Sequence, residues 1–146
     1  MTMKIALASD HAAVVLRMQV AEHLESLGHE IEDFGPAPGE RVDYPKYAAA
    51  VAGAVVAGDA EAGVLLCGSG IGMSIAANKV IGIRAALVHD VTTARLAREH
   101  NDANVLCLGA RTTGPVVALE CVEAWLGAQF EQRHQPRLDQ IARMEA

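Results

Sequence analysis

Residues 67–79 read CGSGIGMSIAANK, and they continue from the apolar run AGVLLC of residues 62–67. This order predicts a strand, a glycine turn and the start of a helix. Gly68, Gly70 and Gly72 allow the backbone to turn sharply and to bring several N–H groups close to a ligand, where the helix start adds positive potential. The turn therefore predicts a cradle for a phosphate, a carboxylate or a developing oxyanion.

Cys67 is the last residue before this turn, which aims its sulfur at the N–H groups. A thiolate there would be stabilised and could act as a base or a nucleophile. The alternative is a small buried hydrophobe, the commonest role of a cysteine that ends an apolar strand. Two nucleotide motifs fit poorly, because a Walker loop lacks its lysine before Lys79 and the third glycine of the dinucleotide fingerprint would fall on Met73.

Length and composition limit the class of protein. The chain has 146 residues, 51% of them hydrophobic, which suits one domain, residues 1–146. A net charge of −6 with scattered basic residues argues against nucleic acid as a partner. The apolar stretches are too short for a secretion signal or for a membrane span of roughly eighteen residues. Three widely spaced cysteines suit a reducing cytosol, so we expect a cytoplasmic protein.

Short apolar runs alternate with longer periodic segments along the whole chain. The short runs predict strands near 3–8, 29–34, 62–67, 83–88 and 104–108. The periodic segments predict helices near 12–27, 44–57, 71–79, 91–100, 114–127 and 136–145. Repeated β-α units of this kind indicate an α/β fold with a mainly parallel sheet that is buried on both faces. The expected helix-boundary residues are Gly28, Pro45, Gly58, Asp90, Thr113 and Pro115.

Polar side chains follow the predicted strands, and ligands bind beyond the carboxyl ends of strands in such sheets. The strand ends carry Ser9-Asp10-His11, Cys67, His89-Asp90 and Gly109-Ala110-Arg111, and the end of the fourth helix adds His100-Asn101. We expect these groups on one rim. Each has a simpler interpretation, since Asp10 and Asp90 can cap helices and His100 can face a helix dipole. For Asp90 we prefer the cap.

Metal binding has little support in the sequence. A zinc site of Cys67, Cys107, His11 and His100 would lack the local Cys-x-x-Cys or His-x-x-x-His pair that such sites usually contain. Cys107, on a strand, and Cys121, within a helix, are expected in the core.

The C-terminal segment QFEQRHQPRLDQI, residues 129–141, groups Arg133, His134 and Arg137 around Pro136. Because proline suits a first helical turn, Arg137 is expected in the opening turn of the last helix, where an anion is favoured. Two arginines beside a helix start suit a phosphate clamp. A solvated basic patch is the alternative.

Taken together, these residues resemble the ribose-5-phosphate isomerase B and galactose-6-phosphate isomerase group of sugar-phosphate isomerases over nearly the whole chain. The resemblance rests on Ser9-Asp10-His11-Ala12, Asp43-Tyr44-Pro45, CGSGIGMSIAANK, GIRAAL, REHNDANVLCLGAR (98–111) and WLGAQFEQRHQPR (125–137). It implies a single Rossmann-like α/β domain with a five-stranded sheet, and reversible aldose–ketose isomerisation without a metal or other cofactor. It also implies a homodimer, in some members paired into a tetramer, with composite active sites.

The resemblance further implies a role for each candidate residue. Cys67 would move the proton between C1 and C2, and His100 would protonate the ring oxygen and open the furanose. The enediolate oxygens would be held by Ser69 and by the amides of Gly68, Gly70, Ile71 and Gly72. Sugar hydroxyls would bind Asp10 and Asn101, and the phosphate would bind His11, Arg111, Arg133 and Arg137, with the C-terminal helix reaching the partner subunit. Some relatives instead use a glutamate at the position of Met73.

Three functions stay open on the sequence. The first is isomerisation of ribose 5-phosphate to ribulose 5-phosphate, and the second is the same chemistry on a hexose 6-phosphate such as allose or galactose. The third is a non-catalytic domain that binds a nucleotide or sugar phosphate. Cys67 and His100 favour catalysis, because a binding domain needs neither a thiolate nor a proton donor. Galactose 6-phosphate members work as pairs of unlike subunits, which a chain with the full residue set fits poorly.

Overall fold

The computed structural model describes residues 1–145, which form five strands and six helices. The strands are β1 Lys4–Ser9, β2 Glu30–Asp33, β3 Ala62–Cys67, β4 Ala85–Leu87 and β5 Val105–Gly109. The helices are α1 Val14–Ser26, α2 Tyr44–Ala57, α3 Ile71–Ala77, α4 Val91–Asn101, α5 Pro115–Gly127 and α6 Gln135–Arg143. Short 3₁₀ turns, His11–Ala13 and Gln132–His134, precede α1 and α6. Each strand and helix that the sequence predicts is therefore present.

The strands form one sheet in the order β2-β1-β3-β5-β4, and every neighbouring pair is parallel. The predicted sheet is thus confirmed as fully parallel. Its register aligns Ser9 with Leu66 and Cys67 with Gly109. Because the carboxyl ends of β1, β3 and β5 are level with one another, the residues that follow these three strands lie on one rim.

Helices cover both faces of the sheet, as the sequence predicts. On one face Ile5 and Leu7 pack in a cluster with residues of α1, α4 and α5, including the fully buried Trp125. On the other face Ala6 and Ala8 pack with residues of α2 and α3. This alternation along β1 is the two-residue period of a strand that is buried on both faces. Within residues 1–145, no helix is long and apolar enough to cross a membrane.

Thr113 is the one predicted helix-boundary residue that does not take its expected role, the N-cap of α5. The N-cap of α5 is Gly114, and the Thr113 side chain is buried with its hydroxyl Oγ1 unpaired. The hydroxyl therefore faces the interior instead of the helix start. The other boundary residues are confirmed: Gly28 and Gly58 have positive φ after α1 and α2, Pro45 and Pro115 lie in first turns, and Asp90 Oδ1 accepts a 2.7 Å bond from the Thr93 N–H.

Candidate active site

The loop between β3 and α3 depends on glycine at two positions. Gly70 has φ of +77°, and a Cβ there would lie 2.9 Å from the carbonyl carbon of Leu108 and 2.6 Å from Leu87 Cδ1. A Cβ on Gly109 would lie 2.5 Å from the carbonyl carbon of Ser69. Both contacts are closer than real Cβ atoms make, so only glycine lets the loop lie directly against the end of β5. This packing fixes the direction of the loop amides.

The Cys67 thiol lies under this loop and is 5% exposed. The Gly70 N–H donates a hydrogen bond to Cys67 Sγ at 3.2 Å. Next to it, the Ile71 N–H donates to Ser69 Oγ, also at 3.2 Å. The sequence prediction that the sulfur faces the loop amides is therefore confirmed. An N–H donor stabilises a sulfur that carries negative charge.

The other two cysteines have different surroundings. Cys107 and Cys121 are fully buried in the two core clusters. Burial, helped by the nearby Cys67, raises the pKa of the Cys107 thiol. Burial, with the charges of Asp90 and Glu120, raises the pKa of Cys121 to about 11. Both thiols are protonated at neutral pH, and their predicted place in the core is confirmed.

A cavity of about 590 Å³ opens over the loop at the carboxyl rim. It is lined by Asp10, Tyr44, Cys67, Gly68, Ser69, Ile71, Gly72, Ile75, Arg111 and Thr112. Most of these are residues that the sequence predicts for the site, and the structure brings them together around the thiol. Tyr44, Ile75 and Thr112 are additional. The Tyr44 ring occupies the space that a Cβ on Gly72 would need, so that glycine makes room for the aromatic wall.

Asp10 and Arg111 are placed at the rim by backbone contacts. Asp10 Oδ1 accepts a 2.9 Å bond from the Ala12 N–H, so this carboxylate caps the turn before α1 and also lines the cavity. The Arg111 N–H donates to the Gly68 carbonyl at 2.8 Å, and its side chain covers Gly68. The exposed His11 follows Asp10, and its Nδ1 lies 3.0 Å from the carbonyl oxygen and 3.2 Å from the backbone nitrogen of Val42.

A second group of predicted residues surrounds Glu131. The Glu131 N–H donates to the Glu99 carbonyl at 2.9 Å, which holds the segment before α6 against the end of α4. Glu131 Oε1 then lies 3.9 Å from His100 Nε2 and 3.6 Å from His134 Nε2, and the two imidazole rings are 4.5 Å apart. Arg133 Nη2 contacts the same oxygen at 2.8 Å. Arg137 Nη1 lies 2.7 Å from His134 Nδ1.

Charge and burial shift the pKa values of Glu131 and His134. The hydrogen bond from Arg133 is the main cause that lowers the pKa of Glu131, and the charges of Arg133, His100 and His134 add to it against an opposing effect of burial. Burial lowers the pKa of His134, and the Arg133, His100 and Arg137 charges lower it further while Glu131 opposes them. A neutral His134 can accept a hydrogen bond from Arg137 through Nδ1.

The prediction that His100 and Asn101 share a rim with Cys67 is wrong within one chain. Helix α4 begins after β4 at the carboxyl rim and runs back to the opposite edge, where the carbonyl of Asn101 accepts a 3.0 Å bond from Arg84 Nε just before β4. Strand β3 has six residues, so the two edges are separated by roughly 15–20 Å. Arg133 and Arg137 lie with His100 at the second edge.

The zinc site considered from the sequence does not form either, because His100 lies at the other edge from Cys67. Within residues 1–145, the only group of at least three side chains that could hold a metal ion is His100, Glu131 and His134.

Known proteins resemble this chain in both sequence and fold. A model of the ribose/galactose isomerase family matches residues 5–141. The chain belongs to this family. It is 47% identical to ribose-5-phosphate isomerase B of Escherichia coli over 143 residues, which cover 97% of this chain and 96% of that protein.

Solved structures agree with this membership. The ribose-5-phosphate isomerase B of Clostridium thermocellum superposes with a TM-score of 0.96 at 46% identity and covers 98% of this chain and 97% of that one. The enzyme of Mycoplasma genitalium, solved with bound ribulose 5-phosphate, has a TM-score of 0.92 at 42% identity and covers 97% of this chain and 95% of that one. The α/β fold predicted from the sequence is that of these isomerases.

Proposed function

We propose that the chain is an aldose–ketose isomerase that interconverts ribose 5-phosphate and ribulose 5-phosphate. The observation that carries the proposal is the contact between the Gly70 N–H and the Sγ of Cys67, a residue that lines the rim cavity. It places a thiol beside backbone donors in a member of the ribose/galactose isomerase family. A binding domain would need the donors and not the thiol.

Cys67 is the base in the proposed reaction. A proton on carbon is removed at a useful rate only when the resulting negative charge is stabilised at once. The loop provides both functions, because the sulfur ends β3 and the next residues present their N–H groups and the Ser69 hydroxyl. The enediolate oxygens would replace Ser69 Oγ as acceptor of the Ile71 N–H, with Asp10 on a sugar hydroxyl.

His100 is the proposed acid for ring opening, and it requires a second subunit. Since His100 and Asn101 lie at the edge opposite Cys67, they can complete the site only from a partner chain. We therefore propose a homodimer in which His100, Glu131 and the neighbouring arginines of one chain face the rim cavity over Cys67 of the other. Arg133 and Arg137 would then join His11 and Arg111 around the phosphate, where guanidinium groups bind in bidentate fashion.

The phosphate should contribute to rate as well as to binding. Its contacts are remote from C1 and C2, and such binding energy can hold the sugar in reactive alignment. Ribose without a phosphate should therefore react poorly. The three cysteines are unpaired, and we infer a reducing cytosol as the compartment that keeps Cys67 active.

The test is an assay of the purified chain against ribose 5-phosphate, ribulose 5-phosphate, allose 6-phosphate, galactose 6-phosphate and free ribose. We expect the highest kcat/KM with the pentose phosphates. Cys67→Ala purified in the same way controls for a contaminating isomerase. A clear preference for a hexose phosphate, or activity that needs a second gene product, would replace the pentose assignment. Equal activity in the Cys67→Ala preparation would remove the isomerase assignment.

A further inference from the structure

We propose that His100 Nε2, Glu131 Oε1 and His134 Nε2 form a binding site for a divalent transition-metal ion such as Zn²⁺ or Co²⁺. One ligand atom from each of the three side chains lies within 4.8 Å of the other two. Two imidazoles and one carboxylate are ligands that these ions accept, and three protein ligands leave a position for water. The metal would be an inhibitor and not a cofactor.

The buried imidazole points to a ligand independently of the cluster. The His134 side chain is 7% exposed, and its Nε2 is shielded from solvent without a hydrogen-bond partner. Buried polar atoms are usually paired, so an unpaired nitrogen that faces a carboxylate 3.6 Å away is unusual. An ion between the two atoms would satisfy both.

The two separations from Glu131 Oε1 need only a small contraction. Ligand atoms around a tetrahedral zinc ion are about 3.4 Å apart, given bonds of about 2.0–2.1 Å. The observed separations from Glu131 Oε1 are 3.6 Å to His134 and 3.9 Å to His100. Glu131 and His100 are 40% and 38% exposed, so they can move toward the fixed His134.

Two arginines contact the proposed ligands and should weaken binding of a metal ion. Arg133 contacts Glu131 Oε1, and its guanidinium would have to move to the second carboxylate oxygen. Arg137 donates to His134 Nδ1, which leaves the proton of a neutral ring on Nε2. Metal binding would shift that proton to Nδ1 and break the Arg137 contact. Arg137 should therefore weaken metal binding, whereas Glu131 should strengthen it.

The bound metal ion should also inhibit the isomerase reaction, a consequence that rests on the proposed function. A metal-bound His100 Nε2 could not donate a proton to a ring oxygen. Bound metal should therefore block the reaction from ribose 5-phosphate, and a chelator should restore it.

The experiment titrates the full-length, chelator-treated chain with Co²⁺ in a buffer without phosphate and follows the visible absorption of the bound ion. We expect Glu131→Gln to weaken binding at least about tenfold, the scale of losses around metal sites. We expect Arg137→Ala to tighten binding by up to about tenfold, because one unit charge near the ion is removed. His134→Gln should weaken binding as well, and thermal unfolding checks that it folds.

The matched control is Glu123→Gln. Glu123 Oε1 contacts His23 Nε2 at 2.6 Å on another part of the surface, so it has the same two residue types without a third ligand. Co²⁺ affinity should be unchanged in this variant. In parallel, Zn²⁺ should inhibit the isomerase reaction of the wild type, and Glu131→Gln should need at least about tenfold more Zn²⁺ for the same fractional inhibition.

Three results would overturn the site: unchanged Co²⁺ affinity in Glu131→Gln, equal losses in Glu131→Gln and Glu123→Gln, or a thiolate-to-cobalt band that disappears in Cys67→Ala. The absorption measurement uses no substrate, so it decides the metal site even if the isomerase assignment fails. Conversely, an active enzyme that binds no Co²⁺ would refute the metal site and leave the proposed function intact.

Discussion

The Gly70 N–H donates a hydrogen bond to Cys67 Sγ, three residues earlier in the chain. The turn packs against the end of β5, where Gly70 contacts the Leu108 carbonyl and Gly109 leaves room for Ser69. The position of one thiol thus depends on one glycine in the loop after β3 and on another at the end of β5. This arrangement explains how the proposed base and the proposed oxyanion donors can lie next to each other in a site made of so few residues.

Cys67→Ala should fold normally and lose about a hundredfold to ten-thousandfold in kcat, the usual contribution of a positioned base. Cys107→Ala and Cys121→Ala are the matched controls and should keep most activity, since both thiols lie in the core. Iodoacetamide should modify Cys67 first, and ribose 5-phosphate should protect it. Comparable losses of kcat in all three variants would contradict the assignment of the base.

Gly70→Ala should lower the free energy of unfolding by about 2–4 kcal/mol, because a Cβ would add a left-handed backbone penalty to a clash with Leu87 and Leu108. Gly53→Ala, with open space around its position within α2, should instead raise it by about 0.5–1 kcal/mol. Urea unfolding measures both. If the two substitutions had the same sign, the tight packing of the loop on β5 would be wrong.

The two core thiols predict a loss of stability in alkali. Their folded pKa values are raised, to about 11 for Cys121, so the folded state keeps protons that the unfolded state releases above its own pKa of about 8.5. The free energy of unfolding should therefore fall with rising pH, by about 2 kcal/mol per thiol between pH 7.5 and pH 10.

Urea unfolding of the wild type and of Cys107→Ala/Cys121→Ala at both pH values, in reducing buffer, isolates this effect from lysine and tyrosine titration. The double variant should be less stable at pH 7.5 because of the missing sulfur atoms, yet it should lose less between the two pH values. An equal loss in both proteins would show that the thiols ionise freely in the folded state.

Local patterns in the sequence were sufficient to predict the strands and helices and the loop that follows Cys67. The reason is that strand period, glycine spacing and proline positions act over a few residues. They were not sufficient for His100, whose place depends on the direction of α4 across the sheet. Glu131 was missed for a different reason. Its signal is the Glu-x-x-His spacing with His134, but its contact with His100 depends on the hydrogen bond between the Glu131 N–H and the Glu99 carbonyl.

His100→Asn should impair the two reaction directions unequally. Ribose 5-phosphate is mostly a closed ring and needs the acid, whereas ribulose 5-phosphate is open. We expect a much larger loss of initial rate from ribose 5-phosphate, with proton exchange at carbon as the readout in the reverse direction. Equal losses in both directions would contradict a role in ring opening.

Mixed dimers test whether two chains share each site. Cys67→Ala and His100→Asn chains should each be nearly inactive with ribose 5-phosphate. After dissociation and reassociation, statistical mixing gives one intact site in each mixed dimer, and the activity should reach about one quarter of that of the wild type, given a two-fold dimer. The intact site would combine Cys67 from one chain with His100 from the other.

The control for this experiment is a mixture of Cys67→Ala chains with Cys67→Ala/His100→Asn chains, which contains no cysteine base and should stay inactive. Native mass spectrometry of chains that differ in a tag shows how many mixed dimers form. If they form and no activity returns, Cys67 and His100 do not meet across the two chains. Because a single chain holds them at opposite edges of its sheet, His100 would then lose its place in the reaction.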